Sequence, residues 1–325
     1  MGLTLLATTH RVAPGLLTWR AWDALRTAAA VRLRAGHPLL PSLRDAGIAA
    51  ETVDEPDAAR LVADARRAGP DGTVVWVAAP EGDEGLMREV GTLVVTDPLD
   101  VEVLHGSYDL PGARLLDLVS VMDTLRRECP WDRKQTHTTL VPYLLEEAYE
   151  VLDTIESGDL GGLREELGDV LMQVAFHSVV AAERDDETAF TIDDVAGAIV
   201  EKLVRRHPHV FGDVTVSGAD EVKANWEQIK AAERAAKSGA EASALDGVPL
   251  GQPALSLAAQ LQRRAARMQA PAGLADDLPA EGNDVGTRLF ALVREATERG
   301  ADPEAELRAV SRVFRDRVRA WERGR

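Results

Sequence analysis

LLEEAYEVLDTIESGDLGGLREELGDVLMQVAF, residues 144–176, holds Glu146, Glu147 and Glu150, then Glu166 and Asp169, in a stretch with one basic residue, Arg164. A solvated helix face interleaves its carboxylates with Lys and Arg, and here that interleaving is missing. At the helical repeat Glu146 and Glu150 lie about 40° apart and Glu147 about 60° from Glu150, so the three share a narrow arc. Glu166 and Asp169 share one arc of the following helix. The apolar positions Val141, Leu144 or Leu145, Ala148, Val151 and Ile155 border the first arc, which places the acids at a helix–helix seam.

Carboxylates held at a seam repel one another and are costly to desolvate. A hard divalent cation relieves both penalties. Oxygen donors without Cys or His point to Mg²⁺, with Mn²⁺ as a substitute, and Mg²⁺ keeps positions open for water and phosphate oxygens. Two other readings compete. The acids would be ordinary surface groups, or ligands of a carboxylate-bridged di-iron bundle, although that centre wants Glu-x-x-His and the residue at its place is Asp169.

Outward from this stretch, the chain of 325 residues is long enough for two or three compact units. A formal charge of −17 argues against a nucleic-acid partner, because such binding draws on Lys and Arg neutralising phosphates. A phosphate-bearing ligand therefore needs a local basic patch or a metal. The single cysteine, Cys129, excludes an internal disulfide and a Cys-rich zinc site. MGLTLLATTHR lacks a basic n-region, and the uncharged run from Val170 to Ala182 is shorter than the ~20 residues that span a bilayer. No membrane partner is expected, and a cytoplasmic protein is.

Residues 1–105 alternate the apolar runs LTLLATT, TVVWVAA and GTLVV, read as strands, with helical stretches such as LLTWRAWDALRTAAA and DAARLVADARRA, the pattern of a small α/β module. Beyond about residue 112 every segment reads as helix. Pro130 ends GARLLDLVSVMDTLRREC, Gly158 closes the helix of the first acids, and Asp159 caps the next. Thr191 with Asp194 forms a capping box. Residues 237–250 read as a linker, followed by helices over 251–325. There the segment 282–295 aligns with 165–177 and 311–321 with 201–211, which suggests a second copy that carries Thr287 in place of Asp169 and has lost the acids.

EEAYE followed by ELGD resembles the E-E-x-x-E…E-x-x-D pattern of the MazG nucleoside triphosphate pyrophosphohydrolases. ECPWDRKQTHTTLVPYLLEEAYEVLD, KLVRRHPHVFGD and WEQIKAAER resemble the same family. The resemblance implies a mainly α chain: an all-α helical bundle of four-helix type over residues 110–236, related to dimeric dUTPases and preceded by the α/β module. It implies a homodimer and Mg²⁺-dependent hydrolysis of nucleoside triphosphates to monophosphate and pyrophosphate, in nucleotide-pool housekeeping. The family's metal ligands fall on Glu147, Glu150, Glu166 and Asp169, with Glu146 next to that shell and left as candidate general base. The first third resembles a degenerate tetrapyrrole methylase domain, with ATTHRVAPG where a Gly-rich turn belongs.

Lys202, Arg205 and Arg206 form the densest basic cluster after the acids and are candidates for the leaving phosphates; the competing reading is complementation of a helix C-terminus. Trp131 and Trp226 are candidates for stacking on a base, against an ordinary structural role. Lys134, with Gln135, His137 and Thr138, precedes the acidic helix within reach of sugar or phosphate. His137 and His177 read as ordinary polar or packing residues. A narrower dUTP or damaged-dNTP pyrophosphatase, and a non-catalytic nucleotide-binding scaffold, are the alternative functions.

Overall fold

The computed structural model describes residues 2–69, 72–238, 243–275 and 284–324. The chain divides into two units, residues 1–196 and 197–325. In the first, five parallel strands form a sheet: β1 (Gly2–Ala7), β2 (Ala30–Arg34), β3 (Ala50–Val53), β4 (Thr73–Val77) and β5 (Asp100–His105), in the order β3-β2-β4-β1-β5. Leu5 pairs with Trp76 and Leu6 with Val77 across the two central strands. Side chains alternate between faces along a strand. Leu3, Leu5, Val74 and Trp76 therefore pack on one side with α3 (Ala58–Arg67) and α4 (Glu84–Thr96). Leu6, Val75 and Val77 pack on the other with α1 (Trp19–Thr27) and α2 (Leu40–Asp45). Both faces being covered explains why β1 and β4 read as unbroken apolar runs.

Two sequence readings of this layer are corrected. GTLVV, residues 91–95, is the end of α4, in which Leu86 and Val90 are buried one helical turn apart. A five-residue apolar run has no periodicity of its own to separate strand from helix. The helix in LLTWRAWDALRTAAA stops at Thr27, and Ala30 opens β2, whose buried Val31 and Leu33 alternate with Arg32 and Arg34. Those arginines are held by acids on neighbouring elements, Arg32 by Asp64 and Glu51 and Arg34 by Asp83. The alternation covers only Val31 to Arg34, too short a stretch to stand out from the helical run before it.

Three long helices complete this unit: α5 (Arg114–Glu128), α6 (His137–Ser157) and α7 (Leu160–Ala182), with a 3₁₀ turn over Asp132–Lys134. The loop after β1 is tied to the first of them. Arg11 reaches Asp117 at 2.6 Å and Asp109 at 2.5 Å, and His10 reaches Asp117 at 2.6 Å. Hydrogen bonds from Arg11 and then His10 hold the Asp117 carboxyl well below the usual carboxylate range.

α8 (Ile192–Arg206) begins in the first unit, with Thr191 and Asp194 exchanging the two bonds of a capping box at 3.3 and 2.7 Å. The second unit continues with α9 (Pro208–Phe211), α10 (Ala219–Ser238), α11 (Ala254–Arg267), α12 (Asp284–Glu298) and α13 (Pro303–Arg323). Both segments aligned in the sequence comparison fall on helices here, α12 and α13, apart from residues 282 and 283, which lie outside the described residues. Among the described residues no strand follows His105, and no helix is long and apolar enough to cross a membrane.

Candidate metal centre

The turn between α6 and α7 sets the site. Gly158 closes α6 in the left-handed conformation, φ 75°, which an L side chain rarely adopts, and Asp159 caps α7 by accepting the amides of Gly161 and Gly162. Two residues of connection force the helices to run back antiparallel along each other. With equal rise per residue, positions equidistant from the turn come level. Glu150 lies eight residues before Gly158 and Glu166 eight after it; Glu147 and Asp169 lie eleven before and after. The two acid clusters are thereby brought face to face.

One oxygen from each of Glu147, Glu150 and Glu166 lies within 4.8 Å of the others. Glu147 and Glu166 are half-buried, Glu150 exposed. Desolvation pushes the Glu147 carboxyl above its ordinary value, followed by the charge of Asp169 and a hydrogen bond that protonated Glu147 donates to Glu150. Glu166 is pushed up by desolvation, then by the charges of Glu150 and Asp169. Asp169 thus faces both, although it lies outside the tightest trio. Glu146 is exposed and acts on the group through its charge on Glu147.

Among the described residues no Lys, Arg or His forms an ion pair with Glu146, Glu147, Glu150, Glu166 or Asp169. Elsewhere acids find cations readily: Glu233 takes both Arg205 and Arg206, and Asp83 takes Arg34. Oxygen-only donors that raise one another's pKa, with no resident cation, are a donor set suited to a hard divalent ion. Glu147, Glu150, Glu166 and Asp169 are the residues that could hold it.

The other sequence candidates divide between the units. Trp131 stands edge-on to Tyr143 at 5.7 Å and near Phe176 at 6.3 Å, half exposed, on the small core of Met122, Leu140, Ala175 and Phe176. Lys134 lies exposed in the 3₁₀ turn. In the second unit Lys202 is exposed, and Arg205 and Arg206 hold Glu233 at 2.8 and 2.5 Å. Hydrogen bonds from Arg206 and then Arg205 bring the Glu233 carboxyl down to about 2. Trp226 packs edge-on against His207 at 4.7 Å with the Arg206 guanidinium over its ring at 5.7 Å. Lys230, which sequence reasoning missed, lies over the same ring at 6.0 Å. Its spacing of four residues from Trp226 on one helix was the available signal.

An α-helical hairpin that brings acids from two helices together is the feature that the family comparison takes in. The MazG nucleotide pyrophosphohydrolase domain matches residues 135–211, which takes in the whole acidic hairpin. An uncharacterized 26.1 kDa protein in the blaB 3' region of Streptomyces cacaoi is 51% identical over 249 residues, covering 76% of this chain and 99% of that protein. A nucleoside triphosphate pyrophosphohydrolase of Escherichia coli K12 is 40% identical over 232 residues, 63% of this chain and 86% of the relative. One from Mycolicibacterium smegmatis is 44% identical over 212 residues, 65% of this chain and 60% of the relative. The chain belongs to the MazG family.

Proposed function

We propose that the chain hydrolyses nucleoside triphosphates to the monophosphate and pyrophosphate with Mg²⁺, or Mn²⁺ in its place, held by Glu147, Glu150, Glu166 and Asp169. The observation that carries this reading is the meeting of the two acid clusters across the α6–α7 seam with no cationic side chain paired to them among the described residues. The relatives named for nucleoside triphosphate pyrophosphohydrolysis support it. When bound, the metal supplies positive charge against the triphosphate and an acidified water. Glu147 and Glu166, whose neighbours raise their proton affinity, bind it in the ionised form. Glu146 remains outside the trio and is the carboxylate assigned to accept the proton of the attacking water. The reaction consumes one water: its oxygen bonds to the α-phosphorus, the bridging α–β bond breaks, and pyrophosphate leaves.

A homodimer belongs to the same reading. The helical part of the first unit buries Met122, Leu140, Ala175 and Phe176 while Leu116, Val121, Val141, Leu145 and Ile155 remain exposed. Exposed apolar side chains on consecutive helices suit an interface with a second copy. We assign the α/β layer no step in the reaction and the protein a role in nucleotide-pool housekeeping in the cytoplasm.

Product analysis tests the reaction. Purified protein with each NTP and dNTP plus Mg²⁺ is expected to release monophosphate and pyrophosphate; diphosphate with phosphate, or no turnover, rejects it. Leu145→Asp is expected to move the oligomer toward monomer in sedimentation, and an unchanged mass rejects the dimer face.

A further inference from the structure

The hairpin that carries the acids is tied at its other end by two histidines. His137 opens α6, and His177 lies on α7, 21 residues before Gly158 and 19 after it. Their Nδ1 atoms are 2.8 Å apart, the ring planes differ by 2°, and the centroids are 5.2 Å apart. That centroid separation is about the nitrogen–nitrogen distance plus both ring radii. The imidazoles therefore lie end to end in nearly one plane. Their nitrogen lone pairs point at each other, which is the geometry of a shared proton and leaves no room for a common metal ion.

Proton inventory fixes the arrangement. A neutral pair holds two protons, one in the bond and one on an outer Nε2. His177 Nε2 is enclosed without a hydrogen-bond partner. Enclosed N–H groups without a partner are rarer than enclosed acceptors without one, which favours a lone pair there. His177 thus donates its Nδ1–H to His137 Nδ1, and His137 carries its proton on Nε2. A third proton either sets two N–H groups against each other or encloses an N–H at His177 Nε2.

We infer that His137 and His177 form a proton-sharing clamp that fixes α6 on α7, positions the facing carboxylates, and opens when the pair takes up a third proton. The inference rests on the reading of the hairpin as a metal centre. Pro142, between His137 and Glu146, removes an amide from the helix ladder, and the histidine tie adds to the capping box of Thr136 with Thr139 in holding the first turns of α6. Burial, then the charge of His137, lowers the His177 pKa. Of the charged groups on the packed elements, Arg126 of α5 holds Glu183 and the carbonyls of Asp132 and Gln135, and Arg127 holds Asp123. Asp132 is buried in the 3₁₀ turn, with Arg133 and Lys134 exposed beside it and Glu128 exposed at the end of α5. Among the described residues none of them bonds to either imidazole. Folded His177 binds fewer protons than it does in the unfolded chain, so its contribution is present at neutral pH and lost as pH falls below the ordinary imidazole range.

Imidazole-¹⁵N-labelled protein, free of metal, tests the bond directly. At neutral pH a nitrogen–nitrogen coupling through the hydrogen bond is expected between one protonated and one bare Nδ1, vanishing on acidification. Absence of that coupling at neutral pH overturns the clamp. Its role is tested by Mg²⁺ titration across pH. His137→Ala is expected to weaken Mg²⁺ binding about tenfold at neutral pH, whereas His137→Asn, which places a non-titrating polar group near Nδ1, is expected to restore it there, the acid limb that remains belonging to the carboxylates and to His177. A wild-type Mg²⁺ profile in both variants overturns the positioning role. A coupled pair in a chain that turns over no nucleotide would reject the proposed reaction and leave the clamp standing.

Discussion

The sheet layer and the helical hairpin of the first unit treat their charges in opposite ways. In the sheet, Asp83 is nearly closed off from solvent, yet it accepts from Trp76 Nε1 at 2.9 Å, from the Ala79 amide at 3.0 Å and from Arg34 at 2.9 Å. In the hairpin, three carboxylates meet across a seam, and among the described residues no Lys, Arg or His pairs with them. A fold gains nothing by leaving its acids unpaired. The difference separates a region organised for stability from one organised to receive a ligand.

The largest expected break of that comparison is in the sheet. Trp76 is fully buried between α3 and α4 and bonds to Asp83, so Trp76→Ala combines a cavity with a broken polar contact. Denaturant unfolding is expected to show a loss of about 3–5 kcal/mol. In the hairpin, Glu147→Gln is expected to reduce turnover at least ~100-fold, on the order of 2.7 kcal/mol in the barrier, with helix content retained by circular dichroism. Retention of turnover would remove Glu147 from the site.

The hairpin was legible in the sequence to the residue because its information is local. Gly158, Asp159 and the spacing of the acids all lie within one continuous stretch, and helical periodicity says which side chains share a face. The sheet was legible only in its central strands. β3 and β5 expose half or more of their residues, and β2 carries arginines whose acids, Asp64 and Asp83, lie 32 and 49 residues away. The proton-sharing histidines escaped for the same reason. Neither His137 nor His177 sits in a motif that announces its partner, and only the antiparallel return of α7 brings them together.

Asp83→Asn sharpens the comparison at a smaller scale. It keeps the shape, loses the charge that faces Arg34, and sets its new amide donor either against Arg34 or against Trp76 Nε1 and the Ala79 amide, which share one oxygen. A loss of about 1–3 kcal/mol is expected at neutral pH. Burial alone would raise this carboxyl, but the bonds from Ala79, Trp76 and Arg34 together outweigh it and hold it below the usual range. The folded state therefore binds fewer protons, and the deficit of the variant is expected to shrink as pH falls below the ordinary carboxylate range.

The smallest effect has the opposite sign. Glu147 and Glu166 are pushed above the ordinary carboxylate value, so between that value and their folded ones the native hairpin binds more protons than the unfolded chain. Stability of the metal-free protein then falls as pH rises through the interval, because ionisation meets the desolvation penalty and restores the repulsion. Glu147→Gln removes one of the repelling charges. In EDTA its melting temperature is expected to exceed that of the unsubstituted chain by an increment that grows from about pH 4 toward neutrality. Excess Mg²⁺ should reverse the order, since the ion binds the ionised carboxylates and stabilises the native state of the chain that retains all of them. An increment that is independent of pH and unmoved by Mg²⁺ would mean that the seam acids are ordinary solvated side chains, and the contrast between hairpin and sheet would vanish with it.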